Sequence, residues 1–121
     1  MRKFLIVLHA SAGEYSGWAR ALHALLYAKE LKSGGHEVAL LFDGAGTEWA
    51  DALQDEKNDH HAHYLAVKKM GITEMVCDVC TGVFKVKGRL KTMSYKCFAG
   101  ENEGHASIRK WVDQGYEIIT L

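Results

Sequence analysis

Two runs, Phe4-Leu5-Ile6-Val7-Leu8 and Val38-Ala39-Leu40-Leu41-Phe42, are apolar at every position. A strand with one wet face alternates apolar and polar residues, whereas a strand covered on both faces reads as an unbroken apolar run. Such runs constrain the chain to a sheet buried on both sides, which calls for parallel strands joined by helical crossovers. The intervening segment fits. Trp18, Ala21, Leu22, Leu25 and Ala28 recur at helical spacing between Trp18 and Lys32, and Gly34-Gly35 ends the pattern as a left-handed C-terminal cap.

The alternation continues. Asp43-Gly44-Ala45-Gly46-Thr47 turns into a short helix, with Thr47 expected as its N-cap and Glu48 and Asp51 at its positive end. Gln54 to Asp59 is a polar break. His61 to Met70 predicts a helix with a stripe of Ala62, Leu65, Ala66 and Met70, closed by Gly71. Thr73 to Cys77 reads as a short third strand, and Asp78 to about Lys87 as a helix packing Val79, Gly82, Val83 and Val86. Tyr95 to Phe98 is a weak fourth strand, followed by a glycine-rich loop from Ala99 to His105. A helix over Ala106–Gln114 is expected to bury Ile108, Trp111 and Val112; Gly115 caps it and Tyr116–Leu121 forms the last strand. Five strands alternating with helices, with no hairpin dipeptide and no linker, predict an α/β three-layer sandwich on one five-stranded parallel sheet. Residues 1–121 are expected to form a single domain.

Charge narrows the partners. Fifteen basic and fifteen acidic residues cancel, so no field favours nucleic acid or an anionic membrane. The local patch from Lys85 to Lys91 reads as a solvated helix end. No run approaches the ~18 apolar residues of a membrane span. Met1–Leu8 begins like a signal peptide, but His9 and Glu14 interrupt it without a cleavage pattern. Three cysteines, an odd count, argue against a secreted disulfide framework, so a cytoplasmic thiol protein is expected.

In an open parallel sheet the loops after the strands share one edge, and ligands bind there. That rim collects His9, Asp43 with Gly44, Cys77, and Glu103 with His105. Cys77 sits where a strand meets a helix N-terminus, whose amides and dipole favour a thiolate, the reactive form of cysteine; Asp78 opposes this. A buried inert cysteine is the competing reading. Cys80, one turn on, makes the two a redox pair, a metal half-site or neither. A thioredoxin-like fold is disfavoured because the chain contains no proline to stand in cis opposite the pair. Cys77, Cys80, Cys97 and His105 could supply a Cys₃His zinc set, but no second Cys-x-x-Cys exists. His60 and His63 share a helix face, yet a solvated helix start is the simpler reading. Gly44-x-Gly46 lacks the third glycine of a dinucleotide fingerprint, Trp49 standing in its place. No metal and no cofactor are expected. His105 reads first as a helix cap.

Val76-Cys77-Asp78-Val79-Cys80, Glu103-Gly104-His105-Ala106-Ser107, the closing Gly115-Tyr116-Glu117-Ile118-Ile119 and the earlier Gly35–Gly44 stretch resemble the DsrE/DsrF-like family. That family includes the small YchN-type proteins and TusD-type subunits of sulfur relay. The likeness spans nearly the whole chain and rests on the order and spacing of these pieces. It implies a five-stranded parallel sheet between helices and assembly into trimers, hexamers or related rings. In relay members a cysteine at the end of the third strand carries a persulfide, and Cys77 matches it. Cys80 stands where those members often have alanine, and Ala106 where relatives often have proline. The His9–Gly17 loop differs from that of the relay subunits. The resemblance thus implies a cytoplasmic sulfur carrier or sulfurtransferase-type protein with sulfur donor and acceptor proteins as partners. Cys80, or Cys97, could resolve the persulfide as a disulfide, helical spacing placing Cα atoms within the ~7 Å that a disulfide allows. Two other readings stand beside it: an oligomeric binding or scaffold module whose thiols are incidental, and a metal site on Cys77 and Cys80 with Cys97 or His105.

Overall fold

The computed structural model describes residues 1–90, 96–97 and 106–121. In chain order the elements are β1 (Lys3–Leu8), α1 (Tyr15–Ser33), β2 (Glu37–Phe42), a 3₁₀ turn (Gly44–Gly46), α2 (Thr47–Ala52), α3 (His61–Lys69), β3 (Thr73–Val76), α4 (Asp78–Val83), α5 (Lys87–Leu90), β4 (Lys96–Cys97), α6 (Ile108–Asp113) and β5 (Tyr116–Thr120). All strand pairs are parallel and the order across the sheet is β4-β3-β2-β1-β5. Four of these strands have four to six residues and carry most of the sheet. Of the expected fourth strand, Tyr95–Phe98, the described residues give β4, Lys96–Cys97, at the edge beside β3; Tyr95 and Phe98 lie outside the described residues.

The strand order dictates the layers. From β1 to β4 the chain steps always in one direction, and right-handed crossovers then put every connecting helix on one face. The step back to β5 lies in the opposite direction and delivers α6 to the other face. Ile6, Leu8, Val38, Leu40, Phe42 and Val76 accordingly pack with Ala21, Ala24, Leu25 and Ala28 of α1, Trp49 and Ala50 of α2 and Tyr64 and Val67 of α3. The alternate strand residues Leu5, Val7, Ala39, Leu41 and Met75 pack toward Ala106, with Trp111, Tyr116 and Ile118 against them. Both faces of β1 and β2 are buried, as their unbroken apolar runs demand.

Several helix faces differ from those expected. In α3 the buried residues are Tyr64 and Val67, while Leu65 is 44% exposed. Tyr64 can go inward because its hydroxyl meets Gln54 Nε2 at 2.8 Å and Lys68 Nζ at 3.1 Å, so its polar tip is satisfied. In α4 the inward side chains are Cys80 and Thr81, and Val83 is exposed. The helix stops at Val83, and Lys85 takes φ 60°, which ends its run before the expected Lys87. In α6, Ile108 and Val112 are exposed and Trp111 is the residue that packs, edge-on to Tyr116 at 4.7 Å. These helices have apolar residues around much of their circumference, so tertiary docking selects the buried face. Nor is Thr47 an N-cap acceptor: it is the first residue of α2 and its hydroxyl donates to Gly44 O at 2.9 Å.

Candidate functional site

Register aligns the site. Leu8 pairs with Phe42 and Phe42 with Val76, so the next residues, His9, Asp43 and Cys77, follow at the same edge of three adjacent strands. Their backbones extend the ladder by one step: Asp43 N donates to Leu8 O and Cys77 N donates to Phe42 O, each at 3.0 Å. The rim expected from topology is therefore built by continuation of the strands. The 3₁₀ turn then folds back over it. Gly46 lies so close that a Cβ there would meet Leu8 O at 1.8 Å. This backbone approach, rather than a dinucleotide, explains the Gly44-x-Gly46 pattern.

Cys77 is the N-cap residue of α4, with extended φ −76° and ψ 116°, and it is completely buried. Thr81 N donates to Cys77 O at 3.1 Å, so Cys77 and Cys80 share the first helical turn. Cys80 is also buried, and both are thiols. The two sulfurs and a carboxylate oxygen of Asp43 all lie within 4.8 Å of one another. Cys80 Sγ donates to Asp43 Oδ1 at 3.6 Å, and Gly44 N donates to the same oxygen at 2.9 Å. Asp43 Oδ2 lies 3.2 Å from His9 Nε2. The carboxylate thus has its orientation set from both sides, with Gly44 and Cys80 on one oxygen and the His9 ring on the other.

Electrostatics bears on Cys80. Burial pushes Cys80 up to about 12; its hydrogen bond with Cys77 and the Asp43 carboxylate add to this, against the opposing Gly44 amide. Cys80 is a protonated donor near neutral pH. The site meets solvent through His9, whose side chain is half exposed, while that of Asp43 is 21% exposed. An open cleft lined by His9, Arg20, Thr120 and Leu121 lies beside it, where β1 and β5 diverge in chain order. That is the topological switch point, where open α/β sheets bind ligands.

The structure brings together His9, Asp43, Gly44, Cys77 and Cys80 out of the residues expected at the rim. Glu103, His105 and the loop that carries them lie outside the described residues, as does the side chain of Cys97. Among the described residues the third ligand-type neighbour of the thiols is Asp43, which the expected Cys₃His set did not include. Glu48 was expected only as a helix-end charge. Its Oε1 accepts from Ser11 Oγ at 2.8 Å and Ala12 N at 3.2 Å, pinning the loop after His9 to α2. Only the loop's return path across the rim creates that contact, and no local pattern announces it. The expectation of a solvated His60 is also corrected. It is 1% exposed, its Nε2 lies 2.9 Å from Trp18 O, and its ring packs between Trp18 and Trp49. A carbonyl partner satisfies the imidazole and lets two indoles exclude water from it.

Among the described residues no helix is long and apolar enough to cross a membrane. The model of the DsrE/DsrF-like family matches residues 1–121. An uncharacterized protein of Methanocaldococcus jannaschii is 37% identical over 106 residues, 83% of this chain and 78% of that protein. A conserved protein of unknown function from Bacteroides thetaiotaomicron has a similar solved structure. Its TM-score is 0.66 at 16% identity, covering 98% of this chain and 95% of that one; at that identity the likeness concerns the fold.

Proposed function

Because the chain belongs to the DsrE/DsrF-like family, we propose that it is a sulfur carrier, or sulfurtransferase-type protein, holding sulfane sulfur as a persulfide on Cys77. The observation that carries this reading is the placement of Cys77: it follows the third strand, stands at the N-cap of α4 and lies buried beside a second thiol and a carboxylate. Burial there would keep a persulfide from water and from competing thiols. In the loading step the Cys77 thiolate attacks the outer sulfur of a persulfide donor. A new sulfur–sulfur bond forms to Cys77 Sγ, the donor's own sulfur–sulfur bond breaks, and the donor departs as a thiol.

Incubation with a small-molecule persulfide and mass measurement of the intact protein tests the reading. A gain of about 32 Da, the mass of one sulfur atom, is expected on the wild type and none on Cys77→Ser. Lack of an adduct on wild type and Cys80→Ser alike, or an equal adduct on Cys77→Ser, would sink it. Donor and acceptor proteins, a cytoplasmic setting and assembly of identical chains into a trimer or hexamer complete the proposal. Exposed Ile108 and Val112, one turn apart on α6, support assembly, which light scattering measures directly.

One observation favours a second reading. Two thiols and a carboxylate within 4.8 Å form a donor set suited to a borderline-soft cation such as Zn²⁺. Metal content of protein purified without a histidine tag distinguishes this from the carrier: a stoichiometric metal lost in Cys77→Ser supports it.

A further inference from the structure

We propose that Cys80 discharges a Cys77 persulfide by forming the Cys77–Cys80 disulfide and releasing sulfide, with Asp43 moving the proton. The inference rests on the reading of Cys77 as the carrier and assigns that site an outcome beyond carriage, the reduction of sulfane sulfur to sulfide.

Three features of the pocket point to it. The two sulfurs lie on one helical turn and within 4.8 Å of each other, already close to one another before any bond forms. The Cys80 thiol already donates to Asp43 Oδ1 at 3.6 Å, so the proton that must leave before attack is aimed at an acceptor. That acceptor is fixed by Gly44 N on one oxygen and His9 Nε2 on the other, and the groups facing it are His9 after β1 and the two thiols at α4.

The step balances internally. Cys80 Sγ attacks Cys77 Sγ; that bond forms as the bond from Cys77 Sγ to the terminal sulfur breaks. The bonding pair leaves on the terminal sulfur, which departs as HS⁻ carrying the proton passed from Cys80 through Asp43. The sulfane sulfur is reduced to sulfide and the two cysteine sulfurs are oxidised to the disulfide. A dithiol reductant then restores both thiols by ordinary exchange. Asp43 touches the reacting sulfur and is a catalytic residue in this step, while His9 acts through it as a positioning residue.

The test uses full-length, chelator-treated protein, inorganic polysulfide as donor and exclusion of air. Intact mass and released sulfide are followed in time after excess donor is removed. Wild type is expected to gain about 32 Da and then fall to about 2 Da below its reduced mass, with one equivalent of sulfide. Cys80→Ser is expected to stop at the adduct. Asp43→Asn, which keeps the shape but cannot take the proton, is expected to slow discharge by about 100-fold, and Asp43→Glu to recover part of the rate. Equal discharge by Asp43→Asn and wild type, sulfide release from Cys80→Ser at the wild-type rate, or a stable adduct on wild type would each overturn the proposal and leave the carrier standing. Absence of an adduct on wild type and Cys80→Ser alike would instead remove the carrier, and this step with it.

Discussion

Replacing Gly46 with alanine would put a methyl group 1.8 Å from Leu8 O, 2.6 Å from Leu8 C and 3.3 Å from His9 Cα. All three are backbone atoms, so no side chain can swing away. A relaxed carbon–oxygen contact is about 3.3 Å, which requires the turn to retreat from β1 by about 1.5 Å. Leu8 O also accepts from Asp43 N at 3.0 Å, so the retreat strains or breaks that bond. Overpacking costs about 1–3 kcal/mol and a lost buried hydrogen bond about 1 kcal/mol, while alanine's smaller unfolded-state entropy offsets about 0.5 kcal/mol. The net expectation is a loss of about 2–3 kcal/mol, or roughly 8–12 °C in Tm for a chain of this size. Gly82→Ala is the matched control. It lies in α4 with nothing within 4 Å of its would-be Cβ, and helix propensity should make it neutral or more stable by up to about 1 kcal/mol. Urea unfolding of both variants at one fixed protein concentration, followed by circular dichroism and tryptophan fluorescence, reads the difference. A Gly46→Ala midpoint matching wild type with an unchanged m-value would refute the claim that the turn presses on β1.

Two further expectations concern titration and access. Burial and then the 2.8 Å hydrogen bond to Glu37 push the Tyr116 hydroxyl up to about 12. Its folded-state value is thus raised, so its contribution to stability is complete below the unfolded value near 10 and is lost as pH rises toward 12. Phenolate absorbance should show that late titration, and Tyr116→Phe should flatten the alkaline fall in stability; an ordinary Tyr116 titration would contradict both. Cys77 and Cys80 are 0% and 7% exposed. Iodoacetamide labelling of their peptides near neutral pH should therefore run about 100-fold slower in native protein than in urea, and comparable rates would show that the pocket is open.

Which parts of this were legible beforehand follows from the range of the interactions involved. The apolar continuity of Phe4–Leu8 and Val38–Phe42 reports the environment of each strand residue by residue, so both strands and their double coverage could be read directly. Gly35 and Gly115 take φ +86° and +90°, a local demand of the turn, and both marked their helix ends correctly. The rim followed from topology, because any residue after a parallel strand arrives at the same edge.

Helix faces were less legible. Tyr64 displaces Leu65 from the core because a hydroxyl finds Gln54 and Lys68, partners that a hydropathy pattern does not weigh. His60 reads as polar and yet is enclosed, since the carbonyl of Trp18, 42 positions away, satisfies it.

The sequence alone determined the parallel sheet, its alternation with helices and the arrival of Cys77 at a strand end, because these depend on periodicity and chain order. Only the tertiary structure decided what Cys77 faces. The Cys80 thiol, the Asp43 carboxylate behind it and the His9 ring beyond come together because register aligns three strand ends and Gly46 lets a turn close against the first. Charge, burial and reach within that pocket are pairwise properties of groups distant along the chain, and they exist only once the strands are side by side.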